Sequence, residues 1–225
     1  MTGDRRRETG LLSSVFGQEE IIFLYLDKFI VDFYDNFMKL ILASRSPRRK
    51  MFLEQLGVQY STRFAKVEEL KFENPVETCI YNAIQKVKWV ATHTKLDNSS
   101  LIIGFDTLVF LTGSILGKPE NREESKEMLR ALGGKWHEVY TGVAMWNNGK
   151  ITSDYERTQV KFHPLSESQL DFYVNSGETL DKAGSYGIQD KNISFIDRIE
   201  GSFTNVVGFP LSLTRRLLKE AGIII

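Results

Sequence analysis

Two continuous apolar runs, "KLILA" (Lys39–Ala43) and "LIIGFDTLVFL" (Leu101–Leu111), constrain this chain more than any other feature. A strand wetted on one side alternates apolar and polar residues; an uninterrupted run belongs to a strand covered on both faces. Between the runs lie segments of helical period. Ser46-Pro47 sets a hydroxyl residue before a proline at a first helical position, where the missing N–H costs nothing. Gly57 supplies the stop. Asn74-Pro75 opens a second helix in which Val76, Ile80, Ala83, Ile84, Val87 and Val90 recur at helical spacing. Strands that alternate with helices predict an α/β fold on a mixed sheet.

The remainder fits that frame. Val58–Phe64 alternates like a strand. Asn121 with Glu124 forms a capping-box-like start for a helix that ends at Gly133-Gly134. "WHEVYTGVAMW" and "ITSDYERTQVKF" are joined by Asn147-Asn148-Gly149-Lys150 and predict a long β-hairpin. A helix starts near Ser166 and a terminal helix starts at Pro210. Gly177–Gly208 is too irregular to assign. One domain is expected over residues 38–225. Residues 1–37 read as an N-terminal extension of unknown role with no part in the chemistry. They supply either an amphipathic helix packed on the domain or sequence upstream of a start at Met38. The apolar part of that extension carries Asp27, Lys28, Asp32 and Asp35, which makes it a poor membrane span. No small-residue cleavage site follows it.

Lys+Arg and Asp+Glu number 29 each, so no global field gathers nucleic acid, and any anion site must be local. Cys79 is the single cysteine. That excludes an intramolecular disulfide and fits a reducing compartment, here the cytoplasm. His93, His137 and His163 lack metal-ligand spacing.

A local anion site is legible at the end of the first run. A strand that turns straight into a helix leaves the first helical N–H groups pointing outward, with the positive end of the dipole behind them. Ser44 and Ser46 add hydroxyls, and Arg48 and Arg49 add guanidinium forks that fit phosphate oxygens. The plainer alternative is a capped helix with a solvated basic first turn. Each cation at a helix N-terminus opposes the dipole by roughly 0.3–1 kcal/mol, a penalty that an anion among them removes.

Asp106 interrupts a strand that otherwise demands burial, so its carboxylate must be paired, metal-bound or shifted in pKa. Glu68-Glu69 reads as a solvated pair on its own. Beside a phosphate site, Glu68 and Asp106 could hold Mg²⁺ through oxygen ligands. "GSILGKPE" is not a P-loop, because its spacer is one residue short and Pro119 stands where Ser/Thr should be. Lys118 in such a turn is ordinarily a surface lysine. Lys86 lies beside the apolar face of the second helix, within reach of a cleft. The G-x-G-x-x-G, G-x-S-x-G and HExxH patterns are absent from the sequence. Cys79, in mid-helix with no histidine near in sequence, is a poor nucleophile.

"LILASRSPRR", "KVEEL", "IIGFDT", "LGKP", "LGGKWHEVYTGVA", "ETLDKAGSYGIQ" and "VVGFPL" occur in that order. Together they resemble the Maf, or septum-formation-inhibitor, family of nucleoside triphosphate pyrophosphatases, from about Met38 to Gly222. The resemblance implies an elongated mixed β-sheet flanked by helices, with a cleft between two lobes, like the inosine triphosphate pyrophosphatases. It implies hydrolysis of a nucleoside triphosphate to the monophosphate and pyrophosphate with a divalent cation, Mg²⁺ or Mn²⁺. By the same resemblance Asp106 is the proton acceptor, Glu68 and Asp106 bind metal, and Ser44, Arg49, Lys86 and Lys118 hold phosphates. Arg48, Thr107 and Gln189 match the members that take dTTP and UTP, where the 7-methyl-GTP type carries tryptophan, glutamine and glutamate. Phe105 departs from the usual small residue before the acid, and the stretch around Lys86 matches loosely.

Expected partners are the nucleotide and at most a second copy of the chain as a homodimer, with no nucleic acid and no membrane. "RSPRRK" is too short a basic cluster, and lacks the aromatic platform, for nucleic acid. A 7-methyl-GTP-type enzyme and a nucleotide-binding regulator of division without catalysis are the alternatives. The regulator would have no use for two acids beside a phosphate cradle.

Overall fold

The computed structural model describes residues 38–225. The extension, residues 1–37, lies outside the described residues. Among those described, seven strands form one mixed sheet in the order β2-β1-β3-β5-β6-β7, with a short β4 pairing β3. The elements are β1 (Lys39–Leu42), α1 (Pro47–Gln55), β2 (Tyr60–Thr62), α2 (Pro75–Thr92), β3 (Ser100–Leu111), β4 (Ser114–Leu116), α3 (Arg122–Leu132), β5 (Trp136–Asn147), β6 (Lys150–Phe162), α4 (Glu167–Asn175), β7 (Ile196–Glu200), α5 (Phe203–Val206) and α6 (Leu211–Glu220). β1 runs parallel to β2 and β3, and the other pairings are antiparallel.

The predicted starts and stops are present, with two instructive differences. Asn74 caps α2 by accepting from the Val76 and Glu77 amides, and Ser166 closes a capping box with Gln169. Asn121 caps α3, but Glu124 reaches past it to the Glu120 amide, so the box is only half formed. Ser46 occupies the N-cap position of α1 without making a side-chain cap bond. The first-turn amides of α1 therefore lack the hydroxyl expected for them. Asn148 and Gly149 both take positive φ, 47° and 84°, in the turn of the predicted hairpin. β4, β7 and α5 were not legible in the sequence, and the second predicted strand shrinks to three residues.

Both faces of the sheet are covered, as the apolar runs require. On one side Ala83, Val87 and Val90 of α2 pack on Ile41, Ile102 and Ala144. Leu129 and Leu132 of α3, with Leu170, Tyr173 and Val174 of α4, pack on Val139, Val160 and Phe162. α2 approaches unusually closely. A β-carbon at Gly142 would lie 2.4 Å from the Cys79 carbonyl oxygen, and one at Gly104 would lie 3.0 Å from that of Ala83. Those two glycines allow the helix backbone to rest almost directly on β3 and β5.

The sheet also leaves a notch. β1 covers the edge of β3 only as far as Ile103, and β4 begins to cover it at Val109. Residues 104–108 between them have no strand on that edge. Asp106 and Thr107 sit at this gap.

Candidate active site

The notch opens into a cavity of about 570 Å³ lined by the β1–α1 turn, the segment before α2, the centre of β3 and the loop at 181–189. Its lining has six cations (Arg45, Arg48, Arg49, Lys86, Lys118, Lys182) and three acids (Glu69, Asp106, Asp181). The cleft therefore carries a local excess of cations in a chain with no net charge.

Alternation along β3 sends neighbouring side chains to opposite faces. Asp106 turns toward α2 and Thr107 toward α1. Asp106 is 5% exposed. Its Oδ1 accepts from Lys86 Nζ at 2.6 Å, and its Oδ2 accepts from Asn82 Nδ2 at 3.3 Å. Lys86 also donates to the Phe105 carbonyl at 3.3 Å, on the strand edge left open by the notch, and reaches Glu69 Oε1 at 2.7 Å. Burial drives the Asp106 carboxyl above the ordinary aspartate range, Lys86 opposes that, and the Glu69 charge adds to the rise. At Glu69 partial burial pushes the same way, but Lys86 outweighs it and holds this carboxyl below the usual range.

Glu69, not Glu68, is therefore the acid in the cleft. In the extended segment before α2 both acids are exposed, but Val67 and Glu69 line the cavity and Glu68 does not. Asn82 fixes this alternation. Its Oδ1 accepts from the Leu70 amide at 3.0 Å and its Nδ2 donates to the Leu70 carbonyl at 2.9 Å. One buried side chain thus holds the residue after Glu69 and touches Asp106. Sequence reasoning missed Asn82, whose only signal was a polar residue one turn before Lys86.

On the other face Arg49 organises the β1–α1 turn. It donates to Ser44 Oγ at 3.1 Å, Thr107 Oγ1 at 3.0 Å and the Gly208 carbonyl at 2.9 Å. Enclosure lowers its pKa to about 10, against the pull of Asp106, so it stays cationic at neutral pH. The Thr141 hydroxyl donates to the Asn205 carbonyl at 3.1 Å and lies 3.0 Å from Thr107 Oγ1. Thr141 gives its one proton to that carbonyl, so Thr107 donates to Thr141. That chain fixes Thr107 and leaves three of the five Arg49 donors engaged.

The remaining sequence candidates converge on the same cleft. Arg48 crosses it to pair with Asp181 at 3.1 Å. Gln189 lines it and is exposed, and so is Lys118, which forms no ion pair among the described residues. The loop carrying Asp181 and Gln189 is held from behind. Tyr173 donates to Asp190 at 2.5 Å, Asp190 lies 3.5 Å from Lys182, and Lys182 donates to the Glu178 carbonyl. In the sequence the loop is legible only as a motif, which singles out neither Asp181 nor Lys182.

A divalent cation fits the donor set. Glu69 and Asp106 already converge on one positive centre, the Lys86 ammonium, and carboxylate oxygens are the ligands that hard cations take. Among the described residues no group of three or more His, Cys, Asp or Glu gathers as a metal cluster.

A protein from Thermotoga maritima named dTTP/UTP pyrophosphatase is 46% identical over 185 residues, spanning 82% of this chain and 90% of its own. A Bacillus cereus protein of the same name is 45% identical over 191 residues, spanning 84% and 93%. A crystal structure of a nucleoside-triphosphatase / dITP/XTP pyrophosphatase from Mycobacterium abscessus aligns at a TM-score of 0.41 with 14% identity, over 83% of this chain and 100% of that one. The profile of the family described as Maf-like protein matches residues 39–221, and with relatives this similar over most of its length the chain belongs to that family.

Proposed function

We propose that this protein hydrolyses dTTP and UTP to the nucleoside monophosphate and pyrophosphate. The observation that carries the reading is Asp106, a buried carboxylate bonded to Lys86, set in the floor of a cationic cleft that ends at an uncapped helix N-terminus. The activity named for the relatives supports the same reading.

The triphosphate lies along the β1–α1 turn, where first-turn amides, Ser44 and the free Arg49 donors meet its oxygens. Lys118 adds charge from the opposite wall. Asp106 accepts a proton from the water that attacks the α-phosphorus in line. Lys86 holds its Oδ1, so the other oxygen, contacted only by the longer Asn82 bond, is the freer acceptor. Water adds to phosphorus as the bridging P–O bond breaks, and the electron pair leaves with pyrophosphate. Asp106 and Glu69 would hold Mg²⁺ or Mn²⁺, which would neutralise charge on the phosphates and the leaving group.

Gln189 offers both an acceptor and a donor to a pyrimidine edge at the far end of the cleft. Leaving one such partner unmet costs about 1–3 kcal/mol, enough to favour uracil or thymine. Arg48 and Thr107 agree with that choice over 7-methyl-GTP. Residues 1–37 are proposed to stand outside this chemistry. Among the described residues no helix is long and apolar enough to cross a membrane. The buried free thiol of Cys79, pushed up to about 12 by burial, suits a reducing cytoplasm. A nucleotide panel assayed for pyrophosphate against orthophosphate tests the proposal. Pyrophosphate from dTTP and UTP is expected; binding without turnover would leave the regulator.

A further inference from the structure

Four of the six cations in the cleft are engaged by the protein: Arg48, Arg49, Lys86 and Lys182, as described above. Arg45 is held differently. Its guanidinium carbon stands 3.2 Å over the centre of the Phe64 ring, and among the described residues it forms no ion pair and donates no hydrogen bond. Stacking uses the flat face of a guanidinium. The N–H donors lie in the plane and point out from its rim, so the contact with Phe64 leaves all five available. It also restrains a long side chain whose ordering would otherwise oppose binding. Arg45 and Phe64 both line the cavity, and Arg45 immediately follows Ser44 in the phosphate turn.

We propose that Arg45, held flat by Phe64, is a further binding residue for the phosphate tail of the nucleotide, on the pyrophosphate side. A tail of several negative charges draws on donors that the fold has not already matched, and of the six lining cations Arg45 and Lys118 alone are engaged by no ion pair or hydrogen bond among the described residues. The inference rests on the pyrophosphatase reading and deepens it. The stack gives the residue a geometry that a solvated arginine would lack.

The test pairs kinetics with direct binding of inorganic pyrophosphate. Arg45→Ala is expected to lower kcat/KM for dTTP about tenfold, chiefly through KM, in line with one charge-assisted contact at a partly wet site. Calorimetry with pyrophosphate should show a similar loss of affinity, with inhibition by dTMP unchanged. Phe64→Leu, which keeps the arginine but removes its platform, should give a smaller loss of about threefold. Pyrophosphate affinity within about twofold of wild type in Arg45→Ala overturns the proposal. A loss confined to dTMP also overturns it, since that would place Arg45 against the base. The binding arm separates the two readings. If wild type bound pyrophosphate but never cleaved dTTP, the pyrophosphatase reading would fail while the Arg45 result still stood or fell by itself.

Discussion

Replacing Gly142 with alanine tests whether the close approach of α2 is what builds the site. The new β-carbon would sit 2.4 Å from the Cys79 carbonyl oxygen, 2.5 Å from its carbon and 2.8 Å from the Ile80 nitrogen, where ordinary contact begins at 3.4 Å. All three atoms are helix backbone, so no flexible side chain can yield. Gly142 lies opposite Asp106 in the sheet, and its backbone conformation is one alanine adopts freely, so the penalty is purely steric. Relief requires α2 to retreat by about 1 Å, which opens packing around Ala83 and Val87. Overpacking of this kind costs roughly 1–3 kcal/mol, and rigid backbone on both sides puts Gly142→Ala at about 3. Lys86 and Asn82 ride on the same helix. Drawing Lys86 Nζ back from its 2.6 Å contact with Asp106 by that amount breaks the bond, and displacement on this scale reduces turnover about 100-fold. Urea denaturation followed by circular dichroism, with pyrophosphate release on the folded fraction, measures both effects. Gly117→Ala is the control: its β-carbon meets only the flexible end of Lys71 at 3.3 Å, and a change within about 0.5 kcal/mol is expected. Wild-type stability and turnover in Gly142→Ala would refute the reasoning.

Asp106→Asn should lose at least about 100-fold in kcat, the usual contribution of a general base, with an unchanged circular dichroism spectrum; retention of most of the turnover removes Asp106 from that role. Arg48→Trp combined with Gln189→Glu should weaken UTP hydrolysis, and unchanged UTP kinetics would contradict the base-recognition assignment. Burial holds His137 at about 4, below its ordinary 6.5, so protonation favours the unfolded chain. The stability from the neutral ring is complete above pH 6.5 and is lost as pH falls toward 4, an effect of roughly 3 kcal/mol. His137→Phe should flatten the dependence of unfolding free energy on pH over that interval, and a parallel curve for the variant would show that His137 does not titrate as described.

Much of the fold could be read from the chain because its signals are local. Apolar continuity gives β1 and β3, Asn74-Pro75 gives α2, and Asn148-Gly149 gives the hairpin. β4, β7 and α5 were not legible because they are three to five residues long, too short to show a period, and exist only through what they pair or pack against. The site divides in the same way. Ser44, Arg48, Arg49 and Asp106 stand out as charge or polarity placed against the pattern of their own element. Glu69 was missed in favour of Glu68 because an irregular segment has no periodicity to say which side faces inward; the side is set by Asn82, twelve residues away from Leu70. Asp181 joins the cleft through Arg48, 133 residues earlier. The bonds of Arg49 make it as much the organiser of Ser44 and Thr107 as a phosphate ligand, a role that its position beside Arg48 does not suggest.

The most direct measurement is hydrolysis of dTTP in ¹⁸O-labelled water, with the products resolved by mass spectrometry. Water activated at Asp106 and delivered to the α-phosphorus places the label in thymidine monophosphate and none in pyrophosphate. Label found in pyrophosphate or orthophosphate would mean that attack occurs elsewhere on the chain of phosphates, and the account of this cleft would be wrong.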